Sequence, residues 1–339
     1  MHPLTPNLTF FCELEAPALQ ALFSTSGLIE KITQLNAGIS LGLIDLSPER
    51  AEVVKRLNTA GIPVHAWLLL PKDQGYWFNM DNPVLAVARY QDFREWTQQN
   101  GLAWQAVGID IEPDIRVLQT FRKGIAAGMR ALLNRFRLPS RSASASKIYK
   151  KLIQTIKADG YLVESYQLPI IIDERLAGSS LIQLLVGIVN LQVDLEILML
   201  YSSFFRPYGE ALLASYAAQS GGIGIGVTGG GVDTEGIVDS RPLEWEELER
   251  DLRIAWNHQK PIYIFSLEGC VQQGFLEKIG GLDWRNSVIQ PDHSYRRIKH
   301  LRWMVGIFLW LAAHPLVWIG ILSAGLIFSR VAKPKMRWF

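Results

Sequence analysis

The chain has 339 residues, 49% of them apolar and 19% charged, with a formal net charge of +2. That is enough apolar material for one large core, and α/β barrels often exceed about 250 residues as a single domain. No basic stripe interleaved with aromatics is present, which argues against a nucleic-acid partner. The two cysteines, Cys12 and Cys270, form no CxxC or Cys/His array, which argues against zinc.

Taken in order, short apolar runs alternate with helical, polar-faced stretches. Residues 1–8 carry Pro3 and Pro6 without a basic start, so they do not read as a signal peptide. The first β-like run is 8–16, followed by a helical pattern to about Asn36. The second is 38–46, after which Ser47-Pro48-Glu49 opens a helix: Ser caps it and Pro takes the first position. The third run, 62–70, leads through a loop with Gly75, Tyr76 and Trp77 to a helix over 82–99. The fourth run is 106–112, and a helix over 115–136 follows. The Ser-rich stretch 138–146 reads as an exposed loop before a helix over 146–158.

The fifth run is 160–169, with 170–174 as an extension, then a helix over 178–190. The sixth is 195–203, then a helix over 207–219. The seventh is the Gly-rich 222–230, which lacks the Lys-Ser/Thr of a phosphate loop, so its glycines are expected to allow a tight turn or close packing. A helix over 243–257 precedes the eighth run, 261–269. Eight such runs predict a closed (β/α)8 TIM barrel over residues 1–295, with an open doubly wound sheet as the alternative. Cys12 and Cys270 then fall near the first and last strands and are expected as thiols, which fits a reducing compartment.

Residues 303–328 contain no Asp, Glu, Lys or Arg. About 20 such residues span a bilayer core. The expectation is a C-terminal membrane anchor over 296–339 with a transmembrane helix at 303–328; a buried or membrane hairpin turning at Pro315 is the alternative. Arg296, Arg297, Lys299 and Arg302 precede the segment, and Arg330, Lys333, Lys335 and Arg337 follow it, so charge gives no orientation. The lack of a signal peptide places the barrel in the cytoplasm, single-pass and tail-anchored in the lipid bilayer.

Barrel active sites lie at the C-terminal ends of the strands. Polar residues there are Glu13 and Glu15, Asp45, His65 and Trp67, Asp110, Glu112 and Asp114, Glu164 and Tyr166, Tyr201 to Ser203, Thr228, Ser266 and Glu268. Acids dominate this rim. Alternation puts Asp110, Glu112 and Asp114 on one face of an extended run, where mutual repulsion would keep one protonated at higher pH. That is how a general acid for glycosidic cleavage is made. Glu112 is the preferred acid, with Glu268 across the barrel as its partner. Asp110 is equally readable as a structural acid, and Asp114 as a helix cap. Trp67, Tyr76 and Trp77 are candidate sugar-stacking rings, each also readable as packing, and His65 reads as a hydrogen-bonded core histidine.

The run Gly108-Ile109-Asp110-Ile111-Glu112-Pro113-Asp114 resembles the fourth-strand motif of chitinase-like (family 18) glycoside hydrolases, Gly-Ile-Asp-Ile-Asp-Trp-Glu, which ends in the catalytic acid. In strict register Asp114 matches that acid; shifted by two, Glu112 does. Met199-Leu200-Tyr201-Ser202 resembles the family's Met-x-Tyr-Asp, whose Tyr and Asp position the substrate. Here Ser202 replaces the Asp, and Glu268 lies where a final-strand Trp is expected. The resemblance implies a distant glycoside-hydrolase-like TIM barrel acting on or binding a glycan, with no cofactor; with the rim residues read above, the candidates are catalytic Glu112, Asp110 and Glu268, and substrate contacts from Tyr201, Trp67, Asp114 and Glu13. The alternatives are a hydrolase or lyase using Mg²⁺, Mn²⁺ or Ca²⁺ held by Glu13, Asp110, Glu112 and Glu268, and a non-catalytic barrel that binds a ligand or partner.

Overall fold

Strands buried on both faces must be largely apolar and, apart from a few buried polar side chains such as Ser40, His65 and Glu164, these are. In a computed structural model of the chain they close into one parallel barrel in sequence order, β1 to β8, with β8 pairing back to β1. Residues 5–122, 124, 128, 130, 139–231, 241–284, 293–317, 320 and 323 are described. The elements are β1 (Leu8–Cys12), α1 (Ala16–Phe23), α2 (Leu28–Gln34), β2 (Gly38–Leu43), α3 (Pro48–Thr59), β3 (Val64–Leu68), α4 (Pro83–Asn100), β4 (Ala106–Ile111), α5 (Ile115–Arg122) and α6 (Pro139–Ala158). They continue with β5 (Leu162–Gln167), α7 (Ile170–Leu176), α8 (Leu181–Val186), β6 (Leu195–Met199), α9 (Gly209–Ala217), β7 (Gly222–Gly226), α10 (Trp245–Trp256), β8 (Ile262–Phe265), α11 (Leu267–Gln272), α12 (Phe275–Gly280) and α13 (His293–Ala313).

Period-two alternation divides each strand between two cores. Phe10, Cys12, Leu41, Ala66, Leu68, Ile109 and Ile264 belong to the layer under the helices. Phe11, Trp67, Tyr166, Ile197, Met199 and Tyr263 form the separate cluster that fills the barrel. Phe11 meets Trp67 and Tyr166 edge-on, with ring centroids 5.2 and 4.8 Å apart. Gly108 makes this packing feasible: a Cβ there would lie 2.3 Å from the Tyr166 hydroxyl oxygen. A polar layer sits within the same interior. His65 Nδ1 is 2.9 Å from Glu164 Oε1, and the Tyr263 and Tyr166 hydroxyls donate to Glu164 at 2.5 and 3.1 Å. His65 is thus the hydrogen-bonded core histidine that its apolar strand suggested.

Several expected elements change. Residues 170–174 do not extend the fifth strand; Pro169 cannot donate to the ladder, and α7 begins directly after it. The Ser-rich stretch 138–146 is no loop beyond its first residue, which lies outside the described residues. Pro139 opens α6, and Ala145 and Tyr149, one turn apart, are both buried. Serine costs little in a helix when alanine alternates with it. Most of the helix expected over 115–136 lies outside the described residues beyond Arg122.

The C-terminal expectation is overturned. Among the described residues no helix is long and apolar enough to cross a membrane. The first half of α13 carries Arg296, Arg297, Lys299 and Arg302, and the helix ends at Ala313, two residues before Pro315. Within α13 the charge-free part, 303–313, is about 16 Å long at about 1.5 Å per residue, and helix resumes at 315–317. Arg302 is turned inward: its guanidinium pairs with Asp173 at 2.7 Å, donates to the Ser215 carbonyl and stacks on Tyr216. The helix is therefore fastened to the barrel. This corrects the transmembrane helix at 303–328 and the single-pass membrane localisation; residues 318, 319, 321, 322 and 324–339 lie outside the described residues.

Candidate active site

The rim at the strand C-termini gathers four carboxylates from three places in the chain. Asp110 ends the buried run of β4, is 1% exposed, and receives the Trp67 indole N–H at 3.0 Å on Oδ2. Register explains this meeting: Trp67 stands opposite Gly108 on the neighbouring strand, two residues before Asp110. The other oxygen, Oδ1, is buried without a hydrogen-bond partner. Glu112 follows just beyond β4, held in position by its backbone N–H to the Phe78 carbonyl at 3.2 Å. Its side chain is half-buried and has no hydrogen-bond or ion-pair partner among the described residues.

Glu13 leaves the end of β1 and is 8% exposed. The Tyr76 hydroxyl donates to its Oε1 at 2.5 Å. Tyr76 has φ of +66°, a conformation costly for a bulky residue, and the preceding Gly75 has φ of +109°. This turn aims the ring across the mouth at Glu13. Glu268 arrives differently from expectation. The eighth run is strand only to Phe265; Ser266 caps α11 through its Oγ and the Gly269 N–H, so Glu268 sits in the first turn of that helix. Its Oε1 accepts the Glu13 backbone N–H at 3.4 Å, and its Oε2 is buried without a partner. The Gly-rich run closes against these two acids. A Cβ on Gly230 would lie 2.5 Å from Glu268 Oε1, and one on Gly231 3.2 Å from Glu13 Oε2. The glycines bring backbone onto the carboxylates, the close packing that their lack of a phosphate-loop lysine suggested.

Carboxyls withdrawn from water and set near one another resist ionisation. Burial raises Glu13 to about 8, with Glu268 and Glu112 adding to the shift against the Tyr76 hydrogen bond. Burial raises Glu112 to about 7. Asp110 is pushed well above the usual carboxylate range by burial, then by the charges of Glu112 and Glu13. Glu268 is also raised, by burial. Tyr201 is buried beside them; burial and the charges of Asp110, Glu112 and Glu13 hold its hydroxyl in the neutral form. It packs on Phe265 with centroids 5.8 Å apart.

The structure therefore brings Glu13, Asp110, Glu112, Glu268, Trp67, Tyr76 and Tyr201 to one mouth. It sets Asp114 aside. Arg116 grips both Asp114 oxygens, with its Nε at 2.9 and 3.1 Å, and Asp114 Oδ1 accepts the Arg116 backbone N–H at 2.8 Å. Asp114 is a start-of-helix acid for α5, which removes the strict-register match to the family's catalytic acid. Asp45 is likewise occupied: burial would raise it, but hydrogen bonds from Arg50 and Ser47 prevail and hold it at about 2. Trp77 turns edge-on to Tyr76, 5.3 Å between centroids. Cys12 and Cys270 are free, buried thiols. Among the described residues no three His, Cys, Asp or Glu side chains are grouped so that they could hold a metal ion.

Sequence reasoning did not find the Tyr76–Glu13 bond, since nothing local signals a contact across 63 positions. It weighed Tyr76 only as a stacking ring. The cap at Ser266 was also missed, the eighth run being read as strand to 269, although Ser followed by an acid in the next turn is ordinary helix-start chemistry.

No family model matches the sequence, and no curated protein matches it. Solved structures give likenesses of fold. The PgaB (BpsB) glycoside hydrolase domain from Bordetella bronchiseptica is 10% identical with a TM-score of 0.46, over 81% of this chain and 98% of that one. A mutant tryptophan synthase alpha-subunit from the hyperthermophile Pyrococcus furiosus is 13% identical with a TM-score of 0.41, over 83% of this chain and 98% of that one. The expected TIM barrel stands on its own topology, and a glycoside hydrolase domain is among the structures distantly similar to it.

Proposed function

We propose that this barrel is a glycoside-hydrolase-like enzyme in which Glu112 is the general acid. One observation carries the reading: two carboxyls two residues apart on β4 and its exit, one buried with one oxygen unpartnered, the other half-exposed and unpartnered, with burial holding Glu112 near 7. A carboxyl that keeps its proton near neutral pH can deliver it to a glycosidic oxygen as the bond breaks. Asp110, beside Glu112 and steadied by the Trp67 indole N–H, is itself held in the protonated form by burial and by the charges of Glu112 and Glu13. Glu268, with its unpartnered Oε2, is the candidate second carboxylate, acting either on the sugar carbon or on water. Glu13 and Tyr76 form one wall of the mouth, and Tyr201 and Trp67 are buried beside it. No step requires a metal.

The test is a screen on a panel of glycosides with the wild-type chain and Glu112→Gln, with and without chelator. Turnover that the substitution lowers by about 10²- to 10⁴-fold is the expected result for loss of a general acid. Turnover abolished by chelator would transfer the reaction to a divalent cation. Absence of turnover on every glycan, with saturable binding retained, would make the barrel a binding module instead.

A further inference from the structure

On the flank of the barrel α13 leaves a groove against α7 and α9. Its apolar walls include Leu176, Ala214, Ala218, Trp303, Ile307 and Trp310, around a cavity of about 600 Å³. That lies within the roughly 300–1,000 Å³ typical of small-ligand sites. Two cations line it, and they are differently placed. Arg302 is committed to Asp173. Lys299 faces no carboxylate among the described residues; its ammonium lies over the Tyr295 ring, 5.5 Å from the centroid. The floor at Gly306 is open: a Cβ there would meet nothing within 4 Å. Trp303 and Trp310 remain 61% and 41% exposed, so the groove leaves large apolar rings uncovered.

We propose that this groove binds a single-chain anionic amphiphile, of the long-chain fatty-acid type, with the acyl chain along the Trp303–Ile307–Trp310 wall and the carboxylate paired with Lys299. An apolar trough needs a chain to dry it, and an unpaired ammonium at its edge selects an anionic head. A second copy of the chain fits less well, because its own α13 would bring Arg296, Arg297 and Lys299 towards the same positive charges. The site is on the flank of the barrel and is independent of the glycosidase reading.

Calorimetric titration of the full chain with octanoate, decanoate and dodecanoate, each below its micelle concentration, tests the proposal. Affinity is expected to rise by about threefold to fourfold per added methylene. Lys299→Glu should weaken dodecanoate by about fivefold, the upper end of what loss of a partly exposed ion pair gives, and dodecyltrimethylammonium should bind more weakly than dodecanoate. Gly306→Leu fills the open floor and should abolish binding; Ala218→Leu, from the α9 side, gives a second block should the first variant fail to fold. Affinity that is unaffected by both blocks, or equal for the cationic amphiphile, overturns the proposal. So does concentration-dependent dimerisation that either block dissolves in a chain that takes up no dodecanoate.

Discussion

Replacing Glu13 by Gln should stabilise the protein, and more so as pH rises. The folded state holds this carboxyl at about 8 against 4.5 when solvated. A raised carboxyl means that the folded chain binds more protons than the unfolded one between those values. Stability is then fully present below about 4.5 and falls as pH climbs towards 8. At pH 7 the penalty spans about 2.5 pH units, or roughly 3 kcal/mol at about 1.4 kcal/mol per unit. Glutamine keeps an oxygen to accept the Tyr76 hydroxyl but cannot ionise. Tm should therefore rise by about 3–6 °C at pH 7, at about 1–2 °C per kcal/mol for a chain of this size, and by almost nothing at pH 4.5. Thermal unfolding followed by circular dichroism across pH 4.5–8.5 reads this directly, with Glu15→Gln, an exposed neighbour, as the comparison. A Tm difference that does not change with pH, or one that shrinks as pH rises, would refute the buried-acid description of the mouth.

Other expected outcomes can be checked separately. If Glu112 is the acid, kcat should fall as pH rises through about 7, because the deprotonated form cannot donate; a pH–rate profile flat to pH 9 contradicts this. Gly230→Ala places a Cβ on the Glu268 carboxylate at a φ of +78°, so it should cost about 1–3 kcal/mol and lower activity together, seen in paired melting and rate measurements. Arg302→Ala strands Asp173, which is 5% exposed, and should cost about 3 kcal/mol, since breaking a buried pair leaves an uncompensated charge; proteolysis should then cut first at α13.

The barrel was legible because each strand is a short apolar run bounded by turn chemistry, and eight of them recur at barrel spacing. Rim positions such as Glu13, Asp110 and Glu112 followed from where those runs stop. One residue was left between two readings and one stretch was misplaced, each for a physical reason. Asp114 shares the alternation of Asp110 and Glu112, but Arg116, two residues on, bends it into a helix start; a local pairing beat the extended pattern. Residues 303–328 have the composition of a membrane span, yet composition does not register that Arg302 finds Asp173 across 129 positions and fastens the preceding turn to the barrel. Long-range partners of this sort, like Tyr76 for Glu13, are set by strand closure and leave no trace in neighbouring residues.

The most direct measurement compares two glycosides of one sugar, one with a poor alcohol leaving group and one with an activated dinitrophenol, on wild type and Glu112→Gln. A leaving group that departs unaided needs no proton. With Glu112 as general acid, the variant should lose about 10²- to 10⁴-fold on the first and little on the second. Equal losses on both, or none on either, would contradict that role.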